Sequence, residues 1–463
     1  MEKKVALHNL GCKTNSYELD YMQQVLQEKG FTIVPFDENA DIYIINTCTV
    51  TNTADRKSRQ MLHKAKQKNP DAVVVAVGCY VQTGLKDVEK DPAIDLAIGN
   101  NRKKDIVPIL FEYLEKKDNF KSGLGENPDK TLDGTTVIDI NHTNEYEEMH
   151  IEKTAEHQRA YIKIQDGCNQ FCSYCLIPFA RGRVRSRKAE DIIDEIKTVV
   201  KAGYIEVVLT GIHISSYGID FDENYNQTGD YKGEGKLIDL CEMVDKIDGL
   251  KRLRLGSLEP RIVTEENAKR LAALKTICPH FHLSLQSGCD DTLKRMNRHY
   301  TAKEYKESVE LLRKYFDRPA ITTDVIVGFP GEDEREFEES RAFLEDIEFY
   351  EMHVFKYSKR AGTRAAIMPD QVPDELKASR SDILLDMTAR HSKKFREKYI
   401  GGTALVLFEE EKKIAGKNCF VGHTADYVKV AVEDDGDIHS GDLILCKIKE
   451  FLMEEVLLGQ IIR

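Results

Sequence analysis

Three cysteines fall close together, Cys168, Cys172 and Cys175, in the run DGCNQFCSYC. The spacing Cys-x-x-x-Cys-x-x-Cys lets three thiolates wrap one small inorganic centre. Zinc sites favour a close pair followed by a second pair or by histidines. Neither follows here. A four-iron, four-sulfur cluster usually takes four cysteines. Held by three, it keeps one iron open to another ligand.

Three more cysteines, Cys12, Cys48 and Cys79, are spread widely. Each follows a strand-like apolar run: VALHNLG, DIYIINT and AVVVAVG. In an open α/β sheet the carboxyl ends of the parallel strands form one ligand-binding edge. Three thiols there can converge on a second metal centre. Cysteines are also common in buried strands, so spacing alone leaves both readings open. Cys241, Cys278, Cys289, Cys419 and Cys446 lack partner spacing and read as buried thiols. His280, His282 and His353 read as packing or hydrogen-bonding residues.

The elements that must position these residues are an α/β series. Over residues 1–118, continuous apolar runs alternate with helical patterns, which predicts a parallel sheet covered on both faces. Residues 119–157 carry turn formers and acids and read as a linker, with VIDI an edge strand or docking segment. Residues 158–398 hold six strand candidates: AYIKIQ, IEVVLTG, LKRLRLGS, FHLSLQ, AITTDVIVG and MHVFKYS. Helices between them and a trailing charged helix predict a partial (β/α)6 barrel. The polar stretch SSYGIDFDENYNQTGDYKGEGK has the length of a functional loop. Residues 400–463 read as a small all-β barrel.

The composition is that of an ordinary folded domain protein, 32% charged and 41% hydrophobic. No apolar stretch approaches the length of a membrane span, and no signal peptide opens the chain. Eleven cysteines in such a chain argue for thiols and metal, and for the cytoplasm. A net charge of −12 gives no overall attraction for nucleic acid, so a polyanion partner needs local basic patches. Arg56, Lys57, Arg59, Lys64, Lys66 and Lys68 share one predicted helix. Arg181, Arg183, Arg185 and Arg187 alternate so that an extended chain points all four to one side. Lys356, Lys359, Arg360 and Arg364 follow the last strand. Each patch reads either as a phosphate contact or as a solvated charged face.

NLGCKTNSYE, NTCTVTNTADRKSR and GCYVQ, followed by GCNQFCSYCLIPFARGRVRSR, resemble the methylthiotransferase family of radical S-adenosylmethionine (SAM) enzymes. The resemblance covers essentially the whole chain. It implies an N-terminal methylthiotransferase domain, a radical SAM barrel and a C-terminal TRAM domain. It implies two 4Fe-4S clusters, each held by three cysteines. The one on Cys168, Cys172 and Cys175 binds SAM at its open iron. An auxiliary cluster sits on Cys12, Cys48 and Cys79. The implied reaction replaces an unactivated aromatic C–H bond by a methylthio group, with the auxiliary cluster supplying sulfur and a second SAM the methyl group. No side-chain acid or base removes such a hydrogen at neutral pH, so the cofactors carry the hard step. An electron donor such as flavodoxin or ferredoxin, and a sulfur source that rebuilds the auxiliary cluster, are implied partners.

Within the family, RGRVRSR, LTGIHISSYG and RLGSLEP are most similar to the branch acting on threonylcarbamoylated adenosine in tRNA. Its implied target is N6-threonylcarbamoyladenosine next to the anticodon, at carbon 2. A second branch, acting on isopentenyladenosine, typically shows a GQNVN-type segment where this chain has Gly211-Ile212-His213-Ile214-Ser215. A third modifies an aspartate of a ribosomal protein. A rival of another class is a non-catalytic RNA-binding iron–sulfur scaffold. SAM contacts are expected from Tyr174 and from the strand ends: Thr210 and Gly211, Ser257 and Glu259, Ser284 and Gln286, Asp324 and Gly328. Taken singly, each also reads as an ordinary strand-end turn residue. RNA contacts are expected from Arg181, Arg183, Arg185, Arg187, Arg56 and Arg59. The TRAM-like barrel carries an acidic excess, Glu409, Glu410, Glu411, Asp434, Asp435 and Asp437 among it. It is therefore expected to read RNA shape or to contact the rest of the protein.

Overall fold

Runs of β-branched residues build the first sheet. The computed structural model describes residues 3–154, 158–222, 236–414, 416–433 and 436–462. Strands β1 (Lys4–Asn9), β2 (Thr32–Val34), β3 (Ile42–Thr47), β4 (Val73–Gly78) and β5 (Leu96–Ile98) are parallel, in the order β2-β1-β3-β4-β5. β2, a three-residue edge strand, is too short to stand out in the sequence. Helices α1 (Lys13–Glu28), α2 (Asn52–Lys68), α3 (Cys79–Thr83) and α4 (Leu85–Lys90) lie between them, and α5 (Ile106–Lys121) follows β5. Alternate residues of β3 and β4 serve opposite faces. Ile44, Val75 and Val77 pack with Ile106 and Leu110, while Tyr43, Ile45 and Val74 pack with Leu62 and Ala65. Both faces are covered, so β3 and β4 are buried throughout.

Residues 119–154 do not form a free linker. The backbone carbonyls of Lys130 and Thr136 accept from Ala97 (2.7 Å) and Gly99 (2.8 Å), at the edge of β5. VIDI forms no strand; Gln82 Nε2 donates to the Ile138 carbonyl at 2.9 Å, so the segment docks. Met149 and Ile151 are buried in the core of the next domain. The turn formers that suggested a linker instead shape a packed strap. Residues 155–157 lie outside the described residues.

The central domain opens with β6 (Ala160–Lys163) and a two-stranded ribbon, β7 (Gln165–Asp166) with β8 (Arg185–Ser186), flanking α6 (Ile177–Arg181). Then come α7 (Ala189–Lys201), β9 (Glu206–Thr210), α8 (Lys236–Val244), β10 (Arg252–Leu255), α9 (Glu265–Ala272) and β11 (His280–His282). They are followed by α10 (Asp290–Arg295), α11 (Ala302–Tyr315), β12 (Ala320–Val327), α12 (Glu334–Ile347), β13 (Glu351–Lys356) and α13 (Asp374–Glu397). Two parallel three-stranded sheets, β6-β9-β10 and β11-β12-β13, join through single bridges at Leu253–Ile277 and Leu258–Leu283. The result is a curved six-stranded sheet, open between β13 and β6. Of the long polar loop, residues 223–235 lie outside the described residues.

The last strands, β14 (Thr403–Ile414), β15 (Lys417–His423), β16 (Lys429–Glu433), β17 (Leu443–Met453) and β18 (Val456–Ile461), close into a barrel ordered β14-β15-β16-β18-β17. It sits on the amino ends of the central strands. Arg252 donates to the carbonyls of His423 (3.0 Å) and Leu405 (2.7 Å), and Arg254 to that of Ala425 (2.8 Å). Tyr427 stacks on His280 and on His423, with the Arg159 and Arg254 guanidiniums over its ring. Part of the acidic excess belongs to this contact, since Glu409 pairs with Arg159 at 2.9 Å. Asp434 and Asp435 lie outside the described residues. Among the described residues no helix is long and apolar enough to cross a membrane.

Candidate two-cluster site

The parallel sheet gathers the first cysteine set. Cys12 caps the amino end of α1, Cys48 follows β3, and Cys79 opens α3 directly after β4. These strands are adjacent, and their carboxyl ends share one edge. Gly11, at φ +112°, lets the loops close: a Cβ there would lie 3.1 Å from Cys48 Sγ. Burial pushes the Cys48 thiol up to about 11, and the neighbouring Cys79 and Cys12 thiols push the same way. Asn100 Nδ2 donates to Cys79 Sγ at 3.4 Å. A site of three soft sulfur donors suits iron–sulfur centres and other thiophilic metals.

The second set lies on the loop between β7 and α6. Gly167, at φ +73°, admits no side chain, since a Cβ would meet the Arg183 carbonyl oxygen at 1.8 Å. Asn297 Nδ2 holds the loop by the carbonyls of Gln170 (3.2 Å) and Phe171 (3.1 Å). Each sulfur receives an N–H: Cys168 from Gln170 at 3.5 Å, Cys175 from Ile177 at 3.4 Å, and Cys172 from Arg298 Nη1 at 3.2 Å. Burial pushes the Cys175 thiol up to about 12 and raises that of Cys168 too. Free thiolates are disfavoured there, whereas thiolates ligating a multi-iron centre are compensated by the metal. The three-sulfur donor set, each with an N–H aimed at it, fits such a centre. Arg298 and Asn297 were not foreseen; they come from beyond α10, and no spacing rule links them to the cysteines.

Buried polar contacts tie the two sets into one site. Helix α6, which follows the second cysteine loop, packs on α3, which begins at Cys79. Asn100, beside Cys79, also donates to the Ala180 carbonyl at 2.7 Å. Arg181 donates to Asn15 Oδ1 (2.6 Å), Glu18 (2.7 and 3.0 Å) and Asp166 (3.2 and 3.3 Å). Glu18 also receives Lys163 at 2.9 Å, and Lys103 in a short contact. Burial alone would raise the Glu18 carboxyl, but Arg181, Lys103 and Lys163 hold it well below its ordinary value. Across the open side of the barrel, Arg360 donates to Thr49, Asn52 and Asp55 at 2.6–2.7 Å. The N-terminal domain thus spans the gap at the carboxyl mouth.

These contacts correct the expected RNA patch. Arg181, Arg185 and Arg187 are buried, so they present no face to phosphate. Arg181 ends α6, and Gly182 (φ +72°) turns the chain, so the stretch is not one extended strand. Arg187 pairs with Glu195 and Glu148. Arg183 alone is partly exposed, its guanidinium 4.4 Å from the Phe171 ring centroid. Arg360 is committed to the inter-domain clamp. Arg56, Lys57 and Arg59 are exposed on α2, whereas Lys64 and Lys68 pair with Asp37, and Lys66 with Asp95.

The residues expected around SAM take unequal places. Glu259 is buried, accepting from Arg261 Nε (3.0 Å) and Gln170 Nε2 (3.4 Å) beside His213. Burial works against its charge, yet His213 above all, with Arg298 and Arg261, lowers its pKa. Tyr174 packs edge-on against Phe329. Thr210 is buried, its carbonyl accepting from Ile164, and Ser257 is exposed. Gln286 holds φ +74° and bridges to β12, and Ser284 is half-buried. Two glycines admit neighbours other than a ligand: Gly211 the Gln165 carbonyl, and Gly328 the Lys377 side chain, which a Cβ would meet at 2.3 Å. Asp324 does not close its strand; β12 continues to Val327, which leaves the carboxylate inside the barrel.

A three-cysteine loop at the carboxyl mouth of an open six-stranded β/α barrel defines a radical SAM enzyme. The radical SAM superfamily model matches residues 162–344, and that of the uncharacterized protein family UPF0004 matches residues 4–99. The chain is 38% identical to the threonylcarbamoyladenosine tRNA methylthiotransferase MtaB of Bacillus subtilis, covering 96% of this chain and 93% of that one. Identity to the protein of the same name in Aquifex aeolicus is also 38%, over 90% and 95% of the two chains. A tRNA-2-methylthio-N(6)-dimethylallyladenosine synthase of Carboxydothermus hydrogenoformans is 33% identical over 98% and 99%. The chain belongs to the methylthiotransferase family of radical SAM enzymes. Among solved structures, the radical SAM methyltransferase TsrM from Kitasatospora setae, with cobalamin and a 4Fe-4S cluster bound, shares the fold. Its TM-score is 0.57 at 15% identity, covering 79% of this chain and 77% of that one.

Proposed function

We propose that this enzyme installs a methylthio group at carbon 2 of N6-threonylcarbamoyladenosine, next to the anticodon of tRNA. The observation that carries this reading is the coupling of two three-thiol sets through Arg181, Asn15 and Asn100. In this reading Cys168, Cys172 and Cys175 hold one 4Fe-4S cluster, and Cys12, Cys48 and Cys79 the other. When bound, these clusters and SAM supply the hydrogen-abstracting radical, the sulfur and the methyl group. The protein's own work is positioning. Arg298 and the Gln170 and Ile177 amides direct hydrogen bonds at the thiolates of one set, and Asn100 at Cys79 of the other, which tunes sulfur basicity. The Glu18–Arg181 network and the Arg360 clamp fix the separation at which hydrogen removal and sulfur delivery act on one carbon. Arg56, Lys57 and Arg59 offer exposed charge to RNA phosphates, and Arg183 a partly exposed one. Of the residues expected around SAM, Tyr174 lies on the Cys168–Cys175 loop itself and Glu259 accepts from Gln170 of that loop.

The substrate is supported by relatives named for threonylcarbamoyladenosine at 38% identity, against 33% for the dimethylallyladenosine synthase. An electron donor such as a flavodoxin or ferredoxin, and a sulfur source for the auxiliary cluster, complete this reading. Nucleoside mass analysis of tRNA from cells lacking the gene tests the substrate; persistence of the methylthiolated threonylcarbamoyl nucleoside, with no redundant enzyme present, refutes it. Replacing Cys12, Cys48 and Cys79 together by alanine tests the chemistry. SAM cleavage survives, sulfur insertion is lost and iron falls to about half; loss of all iron contradicts two independent sites.

A further inference from the structure

The inner face of the barrel carries a polar group that the cluster chemistry does not use. Strand alternation sends Leu283, Leu285, Val325, Val327 and Met352 to the helix-covered core. The intervening residues therefore face the hollow interior. Three of them converge there: His282 on β11, Asp324 on β12 and His353 on β13. One ligand-capable atom of each lies within 4.8 Å of the others. His282 Nδ1 is 3.0 Å from Thr322 Oγ1, which orients the ring and leaves Nε2 3.3 Å from Asp324 Oδ2. The His353 ring centroid is 5.8 Å from that of His282. His353 is exposed, and among the described residues no hydrogen bond ends on it.

The depth of this group connects it to the reaction site. Arg298, which donates to Cys172 Sγ, also donates through Nε to Tyr300 Oη at 2.9 Å, and Tyr300 donates to the Ser284 carbonyl at 2.6 Å. His282 lies one inner-face position below Ser284, about 7 Å along the strand. Below it, His280 stacks on Tyr427 of the small barrel, which forms a floor. A nucleoside presented at the mouth would therefore lower its base substituent onto His282, Asp324 and His353.

We propose that His282, Asp324 and His353 form the pocket that recognises the polar, threonine-derived side group of the target adenosine. This rests on the substrate reading above and deepens it. The pocket offers imidazole nitrogens to a carboxylate or carbonyl, and a carboxylate to a hydroxyl or N–H. A threonylcarbamoyl group carries all of these functions. An isoprenoid substituent carries none and would leave His353 without a partner, with His282 and Asp324 satisfied only by each other and by Thr322. Sites built to hydrogen-bond a substrate group reject analogues lacking it strongly, by up to about 10⁴–10⁵-fold. A single exposed histidine, His353, accounts for a smaller share, on the order of tenfold.

The test compares the enzyme with both clusters loaded on two anticodon stem-loops, one carrying N6-threonylcarbamoyladenosine and one N6-dimethylallyladenosine. The variants are His353→Phe, which keeps ring size and removes the polar atoms, and His353→Gln, which keeps a donor. Iron content matching wild type certifies loading. His353→Phe is expected to lower kcat/KM for the threonylcarbamoyl stem-loop about tenfold or more, mainly through KM, without lowering it for the dimethylallyl one. His353→Gln recovers most of the loss. Equal loss on both stem-loops, or an unchanged preference, overturns the proposal. So does a divalent ion beyond the cluster iron that is present in wild type and lost in His353→Phe, which would make the group a metal site. A wild-type enzyme that modifies only the dimethylallyl stem-loop overturns the substrate reading itself, a result visible before any variant is made.

Discussion

Replacing Glu18 by glutamine removes one buried charge and keeps the side-chain shape. Glu18 is paired with Lys103, Lys163 and Arg181, all of them buried. Asp166 is the other carboxylate ion-paired in the group and already serves Lys163 at 2.7 Å, Arg181 at 3.2 Å and Arg185 at 3.9 Å. Without Glu18, three cations share Asp166, and Lys103 loses its only ion-pair partner among the described residues. Stranding a buried charge costs about 3–5 kcal/mol. At about 2–4 °C per kcal/mol for a domain of the barrel's size, the thermal midpoint falls by about 6–20 °C. Arg181→Met is the informative contrast. It breaks more hydrogen bonds, yet Glu18 keeps Lys103 and Lys163, and Asp166 keeps Lys163 and Arg185, so no charge is stranded and the loss is about 1–3 kcal/mol. Acid provides a second check. The Glu18 pKa is depressed on folding, so its contribution is complete above the unfolded value of about 4.3 and disappears as pH falls through the folded one. The gap between wild type and Glu18→Gln is therefore wide at neutral pH and closes in strong acid. Thermal unfolding followed by circular dichroism across pH reads all three. A fall under about 2 °C for Glu18→Gln, or a larger fall for Arg181→Met, refutes the charge-balance argument.

Gly167→Ala is expected to abolish loading of the cluster on Cys168, Cys172 and Cys175, because the Cβ would meet the Arg183 carbonyl at 1.8 Å in a left-handed conformation; iron content of the purified protein reads this, and full loading counts against the loop geometry. Replacing Arg56 and Arg59 by glutamine weakens tRNA binding and lowers the salt-dependence slope by about 1.4–1.8, whereas Arg185→Gln leaves the slope unchanged because its guanidinium is buried; filter binding at several salt concentrations separates the two. Burial raises the Asp426 carboxyl to about 6, so its contribution is complete below the unfolded value of about 3.9 and is lost as pH rises through about 6. Asp426→Asn should therefore stabilise the protein at pH 8 and flatten its pH profile, and an unchanged profile in thermal melts would contradict this.

The strands were legible because apolar runs between helical patterns have few alternatives. VALHNL, DIYIIN and AVVVAVG became β1, β3 and β4, and the six barrel runs each became a strand. The cysteines at their ends were legible with them. The arginines after Cys175 were not. Their alternation was read as one extended exposed strand, but the stretch is a helix end, a left-handed glycine and a two-residue strand. Their partners Glu18 and Glu195 come from other elements, and periodicity carries no information about distant counter-charges. The strap at 119–154 misled for a related reason: its turn formers are real, but Met149 and Ile151 are buried by a domain that follows in sequence. Asp324 was misplaced because the apolar run fixed where β12 lies and not the depth at which an inward residue sits.

That blindness to distant partners matters for function, since the contacts the sequence hides are those that make two sites one. The central sheet is open between β13 and β6, and two other domains complete it. The small barrel closes the amino end through Tyr427, and the N-terminal domain spans the carboxyl mouth through Arg181 on one side and Arg360 on the other. Buried ion pairs add little net stability compared with apolar packing, so their value here lies in direction. An apolar interface can slide, whereas Arg181 is satisfied only when Asn15, Glu18 and Asp166 all stand where they do. Transferring sulfur to a carbon from which hydrogen has just been removed requires a separation fixed to within a fraction of an ångström. A flexible linker between the domains could not provide it; a strap buried in both cores, with a charged clamp at each edge, does.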